Sequence, residues 1–287
     1  MKKVILSPAG GIRWGWQLML AAAAWFVVTL LSVYGIGSLL MHLLGSWGVN
    51  TGNIHLYPMW VQYLVIYQTG IYQSAAALVM AAVGGLMIRR YGYGIGKPKT
   101  TALGLIIGIV AVVLIAGIFL LADSMRIYTQ IPGFSVNTFI LLAICLMTAL
   151  AEGLLIYGYM RQMATARGGR AAGYAACVIM FIVMDGFGSV SIIGMINLAL
   201  MGAVLCAAAE KAGAWAVIGL RTGWLWASTA VMGFTGSSTA IVRLYPVSEN
   251  LITGGADGLM NGLAVTIICL AGTAIIFIKE YRKCSRK

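Results

Sequence analysis

The sequence predicts an all-α, polytopic membrane protein, a helical bundle of about eight transmembrane helices with both termini cytoplasmic. Three observations predict this class. Hydrophobic residues make up 61% of the 287-residue chain and charged residues only 9%, which is more apolar surface than a soluble domain of this length can cover. Apolar stretches of about 18 residues or more, long enough to cross a bilayer, recur along the chain. The basic residues behind the net charge of +12 lie near the ends of those stretches, which argues against a nucleic-acid-binding surface.

The predicted spans follow one another with short links. Each is an apolar run bounded by charged residues, glycine or proline. They are residues 16–44, 60–88, 101–122, 137–160, 171–187, 191–209, 213–234 and 257–278. The first apolar run has about 28 residues and no convincing cleavage site, so it is predicted to be a retained helix. Because the longest hydrophilic link is about residues 235–256, we expect residues 1–287 to form a single membrane domain.

The distribution of Lys and Arg predicts the orientation, because basic residues near span ends are retained in the cytoplasm. Sixteen of the 19 fall on one side of the eight-span arrangement. Only Arg126 and Arg243 fall on the other side, and Arg221 lies inside a span. We therefore expect a multi-pass protein of the cell membrane, surrounded by the lipid bilayer.

Three ionisable side chains lie within predicted spans: Glu152 in AEGLLIYGYM, Asp185 at the end of FIVMD, and Arg221 in the seventh span. Each costs at least about 2.5 kcal/mol at the bilayer centre, so such groups usually meet a partner or a wet cavity. Glu152 precedes Arg161 by nine residues, which places it roughly 13 Å below the cytoplasmic edge. A structural ion network and a functional cavity both fit this pattern.

The segments around these charges resemble the CPBP (Abi) family of intramembrane endopeptidases, which comprises CAAX prenyl proteases and bacteriocin-processing proteins. One helix of that family carries E-E-x-x-x-R followed by Gly, a later one F-x-x-x-H, and a third H-x-x-x-N or H-x-x-x-D. This chain has EGLLIYG at 152–158, FIVMD at 181–185 and RTGWL at 221–225. The flanking segments GAWAVIGLRTGW and NLITGGADG are also similar to the family. The resemblance covers about residues 135–275.

The resemblance implies a catalytic set of which this chain retains only Glu152. In the family, the first Glu activates water and the histidines stabilise the developing oxyanion. Five of the six corresponding positions differ here: the second Glu is Gly153, the Arg is Tyr157, the two His are Asp185 and Arg221, and the final Asn or Asp is Leu225. An alternative register, with Glu152 as the second Glu after Ala151, does not restore the set.

No metal or cofactor is expected. The chain has only two histidines, His42 and His55, which we assign to the first helix and the loop outside it. A catalytic zinc site typically needs three protein ligands, and the sequence contains no H-E-x-x-H motif or comparable cluster.

The substitutions favour a CPBP-like protein without the family's catalysis, in which Arg221 pairs with Glu152 and Asp185. Such a protein would bind a hydrophobic peptide, a lipid or a membrane partner, for example in bacteriocin immunity or export, and no nucleic acid. One alternative is an intramembrane endopeptidase with altered chemistry, in which the two carboxylates share a proton and Arg221 is displaced. A more distant alternative is a transporter component, which needs a continuous polar path on both sides of Glu152.

Overall fold

The structure is a computed structural model that describes residues 14–127, 134–185, 191–234, 240–247, 251–254 and 259–284. It is all-helical, with 83% of residues in helices. The α-helices are, in chain order, α1 Trp14–Leu31, α2 Gly37–Ser46, α3 Met59–Ile66, α4 Gln68–Tyr91, α5 Thr100–Leu121, α6 Val136–Glu152, α7 Arg161–Asp185, α8 Ile192–Ala212, α9 Ala214–Trp226 and α10 Leu263–Cys284. Two short strands, β1 Met125–Ile127 and β2 Leu244–Pro246, pair antiparallel.

Several helices continue into wider or tighter turns. The π-helical segments are Ser32–Ile36, Gly153–Met160 and Ala227–Val231, and the 3₁₀ segments are Thr51–Leu56 and Leu259–Asn261. π-helical turns are rare in proteins and occur frequently at functional sites. Two of the three lie next to the charges in the predicted spans, since one directly follows Glu152 and another begins six residues after Arg221.

Five helical stretches in the described part of the chain are long and apolar enough to cross a membrane. They are Gly15–Ser46, Gln68–Tyr91, Thr100–Leu121, Val136–Asp185 and Ile192–Ala212. A shorter apolar helix covers Leu263–Ala274. The predicted all-helical class is thereby confirmed, whereas the number of eight spans and the side on which the termini lie stay predictions.

Helices occur where the spans were predicted, with differences in detail. Residues 60–88 were predicted as one span, but the helix breaks at Tyr67, whose backbone torsions are φ −102° and ψ 13°. The last α-helix begins at Leu263 rather than at 257. Parts of some predicted segments lie outside the described residues, namely 186–187 of the fifth span and 250 and 255–258 of NLITGGADG.

A hairpin at Gly169, which divides α7 into two arms, folds the 50-residue stretch Val136–Asp185 back on itself. A straight α-helix of that length would extend about 75 Å, more than twice the thickness of a bilayer core. Gly169 has φ +78°, a conformation open to glycine at no steric cost. A Cβ added at Gly173 would lie 3.2 Å from the carbonyl oxygen of Arg161, although twelve residues of straight helix would separate them by about 18 Å. The two arms therefore run antiparallel.

Basic residues gather at one end of the bundle, called here the basic end. The backbone N–H of Trp215 donates to the carbonyl of Ile95 at 3.3 Å, and Nε2 of Gln162 donates to the carbonyl of Gly94 at 2.7 Å. These bonds join the α4–α5 loop, the start of α7 and the α8–α9 turn. The basic residues of these segments are Arg89, Arg90, Lys97, Lys99, Arg161, Arg167, Arg170 and Lys211. Arg126, in β1, lies beyond the opposite end of α5.

Candidate functional site

Helix α9, which carries Arg221, packs against α5 through two pairs of glycines with G-x-x-x-G spacing. They are Gly104 and Gly108 of α5 and Gly219 and Gly223 of α9. A Cβ added at Gly104 would lie 2.2 Å from the carbonyl oxygen of Ala216, and one at Gly219 would lie 1.9 Å from that of Thr101. Only hydrogen fits at such positions, so the two backbones are in direct contact, as small-residue motifs allow in membranes.

This glycine contact sets the direction of the Arg221 side chain. Arg221 lies two residues from both Gly219 and Gly223, which is about 200° around an α-helix in either direction. Because the glycines face α5, Arg221 points away from α5 and towards α6 and α7. The close packing of α5 and α9 thus aims the guanidinium into the bundle.

The hairpin brings the two carboxylates to the same depth. Glu152 lies 17 residues before Gly169 and Asp185 lies 16 residues after it, so antiparallel arms place them side by side. Gly153, next to Glu152, lets α6 approach α9, because a Cβ there would lie 2.2 Å from Cγ1 of Ile218. Gly153 therefore has a packing role in this chain.

Glu152, Asp185 and Arg221 form one hydrogen-bonded cluster, called here the ion triad. Arg221 donates from Nε to Glu152 Oε2 at 2.6 Å and from Nη2 to Glu152 Oε1 at 2.8 Å. The same Nη2 donates to Asp185 Oδ2 at 2.6 Å. Glu152 and Arg221 are 1% and 2% exposed, whereas the Asp185 side chain is 29% exposed. A bidentate guanidinium–carboxylate pair of this kind is among the strongest hydrogen-bonded contacts in proteins.

Phe181 adds an aromatic face to the ion triad. The guanidinium carbon of Arg221 lies 4.8 Å from the centroid of the Phe181 ring, within the distance of a cation–π contact. Phe181 is fully buried and lies four residues before Asp185, on the same face of α7. It was not among the candidate site residues, although the spacing in FIVMD could have identified it.

Tyr157 and Leu225, the other two substituted positions, lie close in the chain to the triad residues. Tyr157 is fully buried in the π-helical segment after Glu152, and its hydroxyl has no hydrogen-bond partner among the described residues. Leu225 is partly buried, one turn after Arg221. Its carbonyl accepts hydrogen bonds from the hydroxyls of Ser228 and Thr229 at 3.0 and 2.7 Å. Neither position supplies a charge to the cluster.

The ion triad links three helices through one guanidinium, because Arg221 of α9 donates to Glu152 of α6 and to Asp185 of α7. A general base must come within hydrogen-bonding reach of the proton that it removes. Both oxygens of Glu152 accept from Arg221, and the residue is 1% exposed. Within the residues that the structure describes, no three His, Cys, Asp or Glu side chains group in a way that could hold a metal ion.

Comparison with known proteins gives no relative, since no family profile matches the chain and neither curated proteins nor solved structures include a significant match. The resemblance to CPBP endopeptidases therefore depends on the segments quoted from the sequence. The contacts of the ion triad are the structural basis for proposing a function.

Proposed function

We propose that this chain is a catalytically inactive, CPBP-like membrane protein whose bundle binds a hydrophobic peptide, a lipid or a membrane partner. The supporting observation is that Arg221 hydrogen-bonds both Glu152 and Asp185, with Glu152 only 1% exposed. Water activation by Glu152 would require a water within hydrogen-bonding reach of its carboxylate, and 1% exposure leaves little access for one. Arg221 carries a permanent charge and keeps both oxygens engaged.

The altered-chemistry endopeptidase ranks second, because it needs Glu152 and Asp185 to share a proton with Arg221 displaced. Arg221 instead bonds each of them through the same Nη2 atom. The transporter component ranks third. The neighbours of Glu152 along the chain include Ala151, Leu155 and Ile156, which are at most 1% exposed and offer no side-chain polar group to a conducted ion.

The proposal includes the topology. We place the basic end in the cytoplasm, with eight spans crossing the cell membrane and both termini inside, because Lys and Arg near span ends are retained there. Under the family resemblance, bacteriocin immunity or export is the process in which such a binding protein would act.

A cleavage assay tests the proposal. The purified protein is reconstituted in phosphatidylcholine and phosphatidylglycerol vesicles with hydrophobic transmembrane peptides and with a farnesylated C-a-a-X peptide, and products are measured by mass spectrometry. We expect no cleavage by the wild type or by Glu152→Gln. The matched control is Arg170→Ala, which removes an exposed arginine from the same bundle. Cleavage that Glu152→Gln abolishes and Arg170→Ala retains would overturn the proposal.

A further inference from the structure

A cavity that is open at the surface of the bundle, called here the flank cavity, lies between α3, α4 and α6, and none of the ion-triad residues lines it. Its volume is about 700 Å³. Three aromatic residues, Trp60, Tyr63 and Tyr67, line it where α3 meets α4. The remaining wall is mainly aliphatic and includes Leu78, Ala143 and Met147. Among the described residues, none with a charged side chain lines the flank cavity, so its chemistry suits a hydrocarbon ligand.

The flank cavity occupies the half of the membrane farther from the basic end. Tyr67 lies 22 residues before Arg89, or about 33 Å along the helix, which matches the thickness of a bilayer core. Leu78 lies 11 residues before Arg89, or about 16 Å from the basic end. The cavity therefore extends from the far interface to about the bilayer midplane. Tyr and Trp at its outer end are the residues typical of that interface.

The size and depth of the flank cavity favour an acyl chain over a transmembrane peptide. A volume of about 700 Å³ falls within the usual range of ligand pockets, about 300 to 1,000 Å³. A spanning helix would need a binding surface along about 30 Å of membrane. The cavity covers only the half occupied by the hydrocarbon of one leaflet.

We propose that the flank cavity binds one acyl chain of a membrane lipid from the leaflet opposite the basic end, with the lipid headgroup at the level of Trp60 and Tyr63. This inference rests on the proposed binding function and gives it a location and a ligand class. It does not involve the ion triad. The acyl chain enters the flank cavity from the surrounding bilayer, past the aromatic residues, and lies against Ala143 and Leu78.

Photochemical labelling tests this proposal. The 287-residue protein is reconstituted in phosphatidylcholine and phosphatidylglycerol vesicles that contain phosphatidylcholine with a diazirine in mid-chain, and labelled peptides are identified by mass spectrometry after irradiation. We expect label concentrated in residues 71–78 and 140–147. Ala143→Phe and Leu78→Trp, which fill the cavity, should each lower that label severalfold. The matched control Ala82→Phe, an exposed position on α4 outside the cavity, should leave it unchanged.

Three results would overturn the proposal. Label spread evenly over the exposed apolar surface of α1 and α5 would show that the lipid has no preferred position. Unchanged label in the folded Ala143→Phe and Leu78→Trp variants would place the bound chain elsewhere. Labelling of the same segments by a diazirine-bearing transmembrane peptide, without labelling by the lipid, would assign the cavity to a peptide. Cleavage dependent on Glu152 would instead contradict the inactive scaffold and leave the lipid label unaffected.

Discussion

Two arginine–glutamate pairs among the residues that the structure describes have similar geometry and opposite environments. In the ion triad, Arg221 and Glu152 are 2.6 Å apart and each side chain is 2% exposed. Near the basic end, Arg170 and Glu210 are 3.0 Å apart with side chains 54% and 31% exposed. The exposed pair also has an aromatic partner, since the Tyr174 hydroxyl donates to Glu210 at 2.9 Å and the Arg170 guanidinium lies 5.7 Å from the Tyr174 ring.

The difference shows that burial, more than contact distance, decides what a charge pair does. A solvent-exposed pair contributes about 0 to 1 kcal/mol, because water screens it and both side chains lose mobility. A buried pair gains little net stability, but removing one partner leaves a charge that water cannot reach, at a cost of about 3 to 5 kcal/mol. We therefore expect the ion triad to specify how α6, α7 and α9 fit together, and the exposed pair to have only a small effect.

Arg221→Ala is expected to lower the free energy of unfolding more than any other substitution in either charge pair. It leaves two carboxylates in the bundle without a counter-charge, so we expect a loss of about 3 to 5 kcal/mol in the free energy of unfolding. Thermal or denaturant unfolding in detergent micelles measures it. Arg221→Lys keeps the positive charge but cannot form the bidentate hydrogen bonds of a guanidinium. It should therefore lose less stability than Arg221→Ala.

A triple variant tests whether unpaired charge explains the loss of stability in Arg221→Ala. Glu152→Leu, Asp185→Leu and Arg221→Met together remove the charges along with the need to pair them, so most of the stability lost in Arg221→Ala should return. If the triple variant is as unstable as Arg221→Ala, packing rather than unpaired charge explains the loss.

Gly104→Ala tests the buried cluster without changing a charge. The new methyl group would lie 2.2 Å from the Ala216 carbonyl oxygen, so α5 and α9 must separate and move Arg221. We expect a loss of about 1 to 3 kcal/mol. Gly117→Ala is the matched control on α5, because its Cβ would meet nothing within 4 Å and alanine favours a helix by about 0.5 to 1 kcal/mol. Equal losses in both variants would refute a role for the glycine contact.

Asp185→Asn should have a smaller effect than Glu152→Gln. The Asp185 side chain is 29% exposed and accepts one hydrogen bond from Arg221, whereas Glu152 is buried and accepts two. We expect a loss of about 1 kcal/mol for Asp185→Asn, since water replaces part of the lost contact. The same unfolding measurement on both variants compares the two losses of stability. A larger loss for Asp185→Asn than for Glu152→Gln would contradict the described burial of the two carboxylates.

Arg170→Ala should give the smallest effect, about 0 to 1 kcal/mol. That effect should shrink further between 0.1 and 1 M salt, because the Debye length falls from about 10 to about 3 Å. The loss in Arg221→Ala should stay the same over this range, since ions do not reach the triad. A salt-dependent loss in Arg221→Ala would place the triad in contact with water.

The helices could be predicted from the sequence because a bilayer requires long apolar segments, and these are visible without any partner. The helix break at Tyr67 could not be predicted from the sequence, because the residues on both sides of it are equally apolar. The hairpin at Gly169 separates the fourth and fifth predicted spans, where the basic residues between 161 and 170 already indicated a link.

The candidate site could be predicted only in part. The charges inside the spans indicated that Glu152, Asp185 and Arg221 would meet, and the structure brings them together. The sequence alone left open whether Arg221 would lie between the carboxylates, because that depends on the angle at which α9 packs on α5. Two G-x-x-x-G motifs carried that information, but each specifies a helix contact without naming the partner helix.

The order of the three ion-triad residues along the chain also has a consequence for synthesis of the protein. Chains are made from the N-terminus, and Arg221 follows Asp185 by 36 residues. Both acidic side chains thus leave the ribosome well before the arginine that neutralises them. Until α9 is made, the two carboxylates lack the guanidinium that pairs with them in the folded bundle, so the ion triad can form only after the seventh predicted span.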